Sequence, residues 1–246
     1  MTISVFLTSI RPRHWIPLYD NICQAAKDLS FEIVVSTPVD PREQPLAQQP
    51  DNFKVIQTPV KPSQALEVAR IHCQGDYVVQ AVDDVRFTPG ALVEMFKAVH
   101  GGNSVIATCE YWANGGNHRI AMTEGIFGSC GEFPKVATNT PLQPICAMMR
   151  RHDWPFADPC FCAQYGELDQ FLRRIAEGWT VQMVDAKVEE NSAGSDLWRT
   201  KGQGDLTTIR KLWRNPTTCD YDPTMRGVPG RYDYSKIIVE SQGRIF

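Results

Sequence analysis

No apolar run in this sequence approaches the roughly 20 residues needed to cross a bilayer. The amino terminus enters a strand pattern directly and lacks the charged-then-apolar layout of a signal segment. Together these absences predict a cytoplasmic protein without membrane insertion. There is no CxxC pair. The eight cysteines are scattered, several within apolar runs, and Cys160 and Cys162 stand too close together for the usual zinc spacing. This pattern predicts reduced, mostly buried thiols rather than a disulfide framework or a zinc site. Internal repeats and low-complexity blocks are missing. Excess charge is also missing, since a net charge of -3 exerts no global pull on nucleic acid. That small number hides an asymmetry. Residues 199–246 hold nine Lys/Arg against five Asp/Glu, a net of +4, which leaves -7 for the rest and suits an anionic ligand.

What the chain does have is an alternation of strand and helix patterns. Ile3–Thr8, Glu32–Ser36 and Lys54–Thr58 are short apolar, β-branched runs that predict strands. Between the first two, Pro17 is expected to open a helix with Leu18, Ile22, Ala26 and Leu29 on its buried stripe. The proline-rich segment 37–52 reads as a loop. Pro62-Ser63 is expected to begin a second helix with Ser63 as N-cap, and Thr88-Pro89 a third with Thr88 as N-cap. Ser104–Cys109, Ile145–Met149 and Thr180–Val184 predict further strands. Leu168, Phe171, Leu172 and Ile175 mark a helix closing at Gly178, and Asp205–Trp213 a short basic helix. Such alternation implies an α/β fold with a mostly parallel, doubly wound sheet and an irregular second half.

The stretch GDYVVQAVDDV, residues 75–85, lies at the centre of this order. It reads as a glycine stop, a buried strand and then Asp83 and Asp84 where the strand runs out. Open α/β sheets bind ligands at the carboxyl ends of their strands. Two adjacent carboxylates repel unless a cation or a proton is shared. A divalent metal with phosphate oxygens is one solution; a solvated turn that caps the next helix is the other reading.

The layout resembles a GT-A glycosyltransferase of the large inverting family 2. ISVFLTSIRPRHW sits at the family's opening strand, and FEIVVSTP at its EIIVVDDGS position. QGDYVVQAVDDVRFTPGAL resembles A.GdyilflDDDv...pgaL. ICAMMRRHDW resembles the acceptor-side strand. YGELDQFLRRIAEGWTVQMVDAKVEE resembles gEDxDlslRlr..Gyri.yvp.a.v.H, and DLTTIRKLW the late D...F..KW helix. The likeness covers residues 3–214. It implies one catalytic domain over 1–215, with a nucleotide-binding half at about 1–110 and an acceptor half at about 111–215, followed by a tail or lid over 216–246. The chain departs from the pattern in four places, one of them the absent ArN pair before the central strand, where Leu66 and Glu67 stand and Arg70 lies about one turn later. The triple Asp is Val82-Asp83-Asp84, the uracil-contacting Asp is replaced by Ser36-Thr37-Pro38, and the late histidine falls on Glu190.

The resemblance implies metal-dependent sugar transfer from a nucleotide-sugar donor, UDP by default, to an acceptor hydroxyl, with inversion. Asp84 would bind manganese or magnesium, supported by Asp83 and Glu190. Thr8, Ser9, Arg11, Thr37, Lys61, Gln64 and Asp83 would bind the nucleotide. The base that deprotonates the acceptor would be Glu167 or Asp169. Alignment on Arg173 favours Glu167, and general appearance favours Asp169. Arg210, Lys211 and Arg214 are candidates for holding diphosphate or a polyanionic acceptor. The acceptor is expected to be a glycan, or less typically a hydroxylated nucleic-acid base. Two rival readings stand beside this one. A nucleotidyltransferase would ordinarily carry a glycine-rich phosphate loop after its first strand, and TSIRPR has no glycine. A non-catalytic nucleotide- or sugar-binding module would account for the missing Asp and His.

Overall fold

The computed structural model describes residues 1–40, 50–113, 116–117, 145–158, 160–163, 166–191, 196–215 and 220–221. Four strands form a parallel block in the order β3 (Phe53–Gln57), β2 (Ser30–Thr37), β1 (Thr2–Thr8), β4 (Tyr77–Gln80). The sheet continues through β8 (Met148–Arg150), β6 (Val105–Ala113) and β9 (Thr180–Glu190) to β5 (Val85–Phe87). β8 runs antiparallel to β4 and β6, β9 parallel to β6, and β5 antiparallel to β9. The two-residue β7 (Gly116–Asn117) pairs with β6, while β10 (Trp213–Asn215) and β11 (Asp220–Tyr221) form a separate ladder. The fold class is the expected one: an α/β sheet whose first four strands in chain order are parallel.

Strand alternation sends successive side chains to opposite faces. Ile3, Val5 and Leu7 join one core with α1 (Trp15–Ala26) and α3 (Ala91–Gly101). Phe6, Val34 and Val78 join a second core with α2 (Pro62–Ile71) and α4 (Gly166–Ala176), through Val68, Ala69 and Phe171. A third, smaller cluster packs Leu168 and Leu172 of α4 against Ile209 and Leu212 of α5 (Asp196–Leu212) and against Trp213. Each fully buried side chain of this kind contributes about 1.5–3 kcal/mol.

Several element ends differ from expectation for local reasons. α1 begins at Trp15 after a 3-10 turn over Pro12–His14, so Pro17 lies in the first turn, where its missing N–H has no intrahelical partner to lose. Lys61 rather than Ser63 is the N-cap of α2, with Pro62 opening the helix. Ser63 is buried, and its N–H donates to the Cys162 carbonyl. The N-cap of α3 is Gly90 at φ 80 rather than Thr88. Thr88 instead exchanges backbone and hydroxyl hydrogen bonds with Lys187, extending the β5–β9 ladder. β9 continues six residues past Val184 to Glu190, and α5 starts at Asp196 rather than Asp205. The tail over 216–246, Asp220–Tyr221 apart, lies outside the described residues, as do His118 and Tyr165.

Candidate functional site

Gly75 seats the central strand. A Cβ there would stand 2.6 Å from the Thr2 carbonyl and 2.8 Å from the Ser4 nitrogen, so only glycine allows β1 and the start of β4 to approach this closely. Beneath it, Glu32 is buried and accepts from Ser4 Oγ at 2.6 Å, from Lys54 Nζ at 2.6 Å and from the Gln74 N–H at 2.5 Å. Burial alone would push the Glu32 carboxyl up. Lys54, Ser4 and Gln74 outweigh it and hold the group below the usual carboxylate range. β4 is thereby fixed beside β1, and both strands end at one edge of the sheet.

At that edge Arg11 answers the charge of the Asp pair. Its guanidinium forks onto the Asp83 carboxylate and also lies 2.9 Å from Asp84 Oδ2. Ser9 Oγ donates to Asp83 Oδ2 at 2.5 Å, and the Trp15 indole N–H and the Arg11 backbone N–H both donate to Ser9 Oγ. Asp83 is 5% exposed, so this network settles a buried carboxylate. Thr8 Oγ1 donates to the Ser36 carbonyl at 3.3 Å, and buried Thr37 caps the Val39 N–H with its hydroxyl. Lys61 is exposed and Gln64 half-buried on the first turn of α2. Among the described residues neither shares a hydrogen bond or ion pair with the Asp pair. The structure therefore groups Ser9, Arg11, Asp83 and Asp84 tightly and leaves Lys61 and Gln64 at the rim.

Pairing of β5 with β9 sets Val85 opposite Glu190, and the Asn191 N–H donates to the Asp84 carbonyl at 3.3 Å. Glu190 thus reaches the same edge from the far side of the sheet. Its carboxylate accepts a hydrogen bond from the Tyr111 hydroxyl. Burial, reinforced by Glu190, pushes the Tyr111 phenol well up, so it stays a donor.

The two acidic residues of α4 face different surroundings, as positions two apart on a helix do. Asp169 is fully buried. It accepts from the Trp213 indole N–H at 2.8 Å and pairs with Arg173 Nε at 3.1 Å. Glu167 is half-buried and accepts from the Gln80 amide at the end of β4. Burial pushes the Glu167 carboxyl up to about 7; the Gln80 hydrogen bond opposes the rise and the Glu190 charge adds to it. Gln80 is a site residue that the sequence reading missed. A polar side chain in the otherwise apolar, buried run Tyr77–Ala81 was the signal that could have found it.

Arg210 and Lys211 are exposed near the end of α5, and the side chain of Arg214 lies outside the described residues. Cys73, Cys109 and Cys146 are buried and free, their thiols pushed up by burial, to about 12 for the first two. Among the described residues no group of three His, Cys, Asp or Glu is placed to hold a metal ion, and no helix is long and apolar enough to cross a membrane. Asp83 and Asp84 offer two oxygen-donor side chains. Hard cations are commonly held by one or two carboxylates with substrate phosphates supplying the rest, so this donor set fits such an ion beside a bound diphosphate.

The fold matches crystal structures of S. aureus TarS. TarS is matched at 16% identity and a TM-score of 0.59 over 86% of this chain. TarS 1–349 in complex with UDP-GlcNAc is matched at 14% identity and a TM-score of 0.61 over 98% of this chain and 72% of that one. Its complex with UDP is matched at 16% identity and a TM-score of 0.58. The chain has a GT-A-like glycosyltransferase fold. It spans 40% of the first TarS structure and about 70% of the shorter ones. No family model matches the sequence, and no curated protein matches it by sequence.

Proposed function

We propose that this protein transfers a sugar from a UDP-sugar donor to an acceptor hydroxyl with inversion, using Glu167 as the general base. The observation that carries the reading is Glu167 itself: a half-buried carboxylate at the end of the central strand, held by Gln80 and poised at about 7. A base works best with its pKa near the operating pH. Asp169 is assigned to structure, because Trp213 and Arg173 occupy both of its oxygens. In the displacement, the acceptor oxygen bonds to the anomeric carbon as the bond to the diphosphate oxygen breaks. The acceptor proton passes to Glu167, and the bonding pair leaves with the nucleoside diphosphate. Ser9 and Arg11 orient Asp83 on the donor side, and Thr8 lines the nucleotide end, with the fully buried Thr37 behind it holding the backbone at Val39.

Asp84 would hold a divalent manganese or magnesium together with the donor phosphates. Bound there, the ion would supply positive charge against the departing diphosphate. For this Asp84 exchanges its contact with Arg11, whose guanidinium stays forked on Asp83 and turns its remaining N–H groups to phosphate oxygens. TarS 1–349 is crystallised with UDP-GlcNAc and with UDP, which supports a uridine donor for the shared fold.

Hydrolysis of UDP-GlcNAc with manganese, water standing in as acceptor, tests the reading. Turnover in the wild type, and its loss by at least 100-fold in both Asp84→Ala and Glu167→Gln with folding intact, is expected. Full activity in Asp84→Ala would remove the metal assignment. A non-catalytic nucleotide-sugar module is the second reading. The observation in its favour is that Arg11 already neutralises both Asp83 and Asp84. UDP binding without turnover of any nucleotide sugar would establish it.

A further inference from the structure

Gln80 is 5% exposed at the end of β4, an amide side chain in the otherwise apolar, buried run Tyr77–Ala81. Its amide N–H donates to Glu167. Its Oε1 is buried and has no hydrogen-bond partner among the described residues. A buried amide oxygen without a partner costs about 1–3 kcal/mol, so the core alone gives no reason for glutamine here. We propose that Gln80 is the positioning residue for Glu167, holding the carboxylate through its amide N–H and serving the carboxylic acid, once formed, through its Oε1. This proposal rests on the assignment of Glu167 as base.

The chemistry follows from the two ends of the amide. A carboxylate only accepts hydrogen bonds, whereas a carboxylic acid also donates one. A base that takes the acceptor's proton must be supported in both states within each turnover. Arginine or lysine at position 80 would support only the carboxylate and pull its proton affinity down. An apolar residue would support neither state. Glutamine supports both, by turning its amide over: Nε2 donates before proton transfer, and Oε1 accepts from the Glu167 O–H afterwards. The backbone of Gln80 is fixed meanwhile, by parallel pairing to Phe6 and by its N–H donating to the Ala147 carbonyl at 3.2 Å.

Groups from four elements set the charge around Glu167. Glu190 from β9 repels its ionised form. Tyr111 from β6 is protonated and turned to Glu190. Cys146, ahead of β8, is buried and neutral. On α4 itself, Asp169 is directed to Trp213 and Arg173. Gln80 is thus the group from a neighbouring strand that favours the carboxylate, against burial and Glu190, both of which favour the acid.

The decisive experiment titrates the Glu167 carboxyl by carbon-13 NMR in wild type and in Gln80→Met, which keeps the length of the side chain and removes both polar atoms. The midpoint is expected to rise by at least half a pH unit in Gln80→Met. It should rise further in Gln80→Glu, which adds a like charge. In UDP-GlcNAc hydrolysis, kcat should fall at least tenfold in Gln80→Met with KM within twofold of wild type, and the acidic limb of the pH profile should move up. In a Glu167→Gln background Gln80→Met should change kcat no further, because the two residues act as one unit. An unmoved Glu167 midpoint in both variants, with native melting behaviour, overturns the proposal. If Glu167→Gln retains wild-type turnover, the base assignment fails instead. The NMR midpoints still report whether Gln80 governs Glu167.

Discussion

At the scale of single residues, the site holds carboxylates under opposite regimes. Asp83 is buried but answered by Arg11 and Ser9. Glu167 is crowded and, among the described residues, answered by a neutral amide, with a second carboxylate nearby. The difference has a thermodynamic sign. Glu167 binds its proton more tightly in the folded chain than in the unfolded one, so stability is lost as pH rises from the ordinary 4.5 through about 7. One pKa unit is about 1.4 kcal/mol, which caps the loss at ~3 kcal/mol. Glu167→Gln should therefore melt higher than wild type at pH 8 and equally at pH 4, below the ordinary carboxyl range, a pattern that thermal melts at the two pH values would reveal. Equal melting at both would show that Glu167 is not under this strain.

At the scale of elements, the site depends on where β4 starts and how β9 ends. Gly75 lets β4 lie against β1, and the chain then runs straight to Gln80, Asp83 and Asp84. Gly75→Ala would force backbone atoms of Thr2 and Ser4 apart, since the added Cβ meets them at 2.6–2.8 Å. Overpacking of this kind costs about 1–3 kcal/mol. The urea midpoint should drop accordingly, and an unchanged midpoint would show that the strands tolerate the shift. Much at this scale was legible in the sequence. The strand and helix patterns up to residue 109 fall where the structure has elements, because apolar periodicity directly reflects which face is buried. β5 was not legible: three residues, Val85–Phe87, are too short to carry a period. The extension of β9 was hidden too: it is paired on both sides, with β6 and β5, yet half-exposed on its faces, which leaves a mixed sequence such as DAKVEE.

At the scale of the whole molecule, the site lies at one carboxyl edge of a sheet, assembled from β1, β4, β9 and α4, with Tyr111 reaching in from β6. Its parts are far apart in sequence: Arg11, Asp84, Glu167 and Glu190. Binding a ligand to such an edge couples to global stability, because the unfolded chain has no site. UDP at about 100 times its dissociation constant should stabilise the fold by ~2.7 kcal/mol. Differential scanning fluorimetry with and without manganese would measure the shift. An enhancement by manganese that disappears in Asp84→Ala would tie the ion to this edge. No shift with UDP, alone or with manganese, would exclude a uridine diphosphate site.

The sequence by itself determined the α/β class, the position of the central strand and the identity of the acidic candidates. These follow from apolar patterning and from the rarity of paired carboxylates at a strand end. It left Glu167 and Asp169 as equals, since two acids two residues apart look alike in one dimension. Only the tertiary structure distinguished their surroundings, by burying Asp169 against Trp213 and Arg173 and turning Glu167 toward Gln80. The same is true of Asp83 and Asp84. The sequence left the pair between a shared cation or proton and a solvated turn, and packing supplied a cation from the chain itself, Arg11, some seventy residues away along the chain. A carboxylate's proton affinity and partners are set by what surrounds it in space, and that depends on the closed sheet rather than on neighbours in the chain.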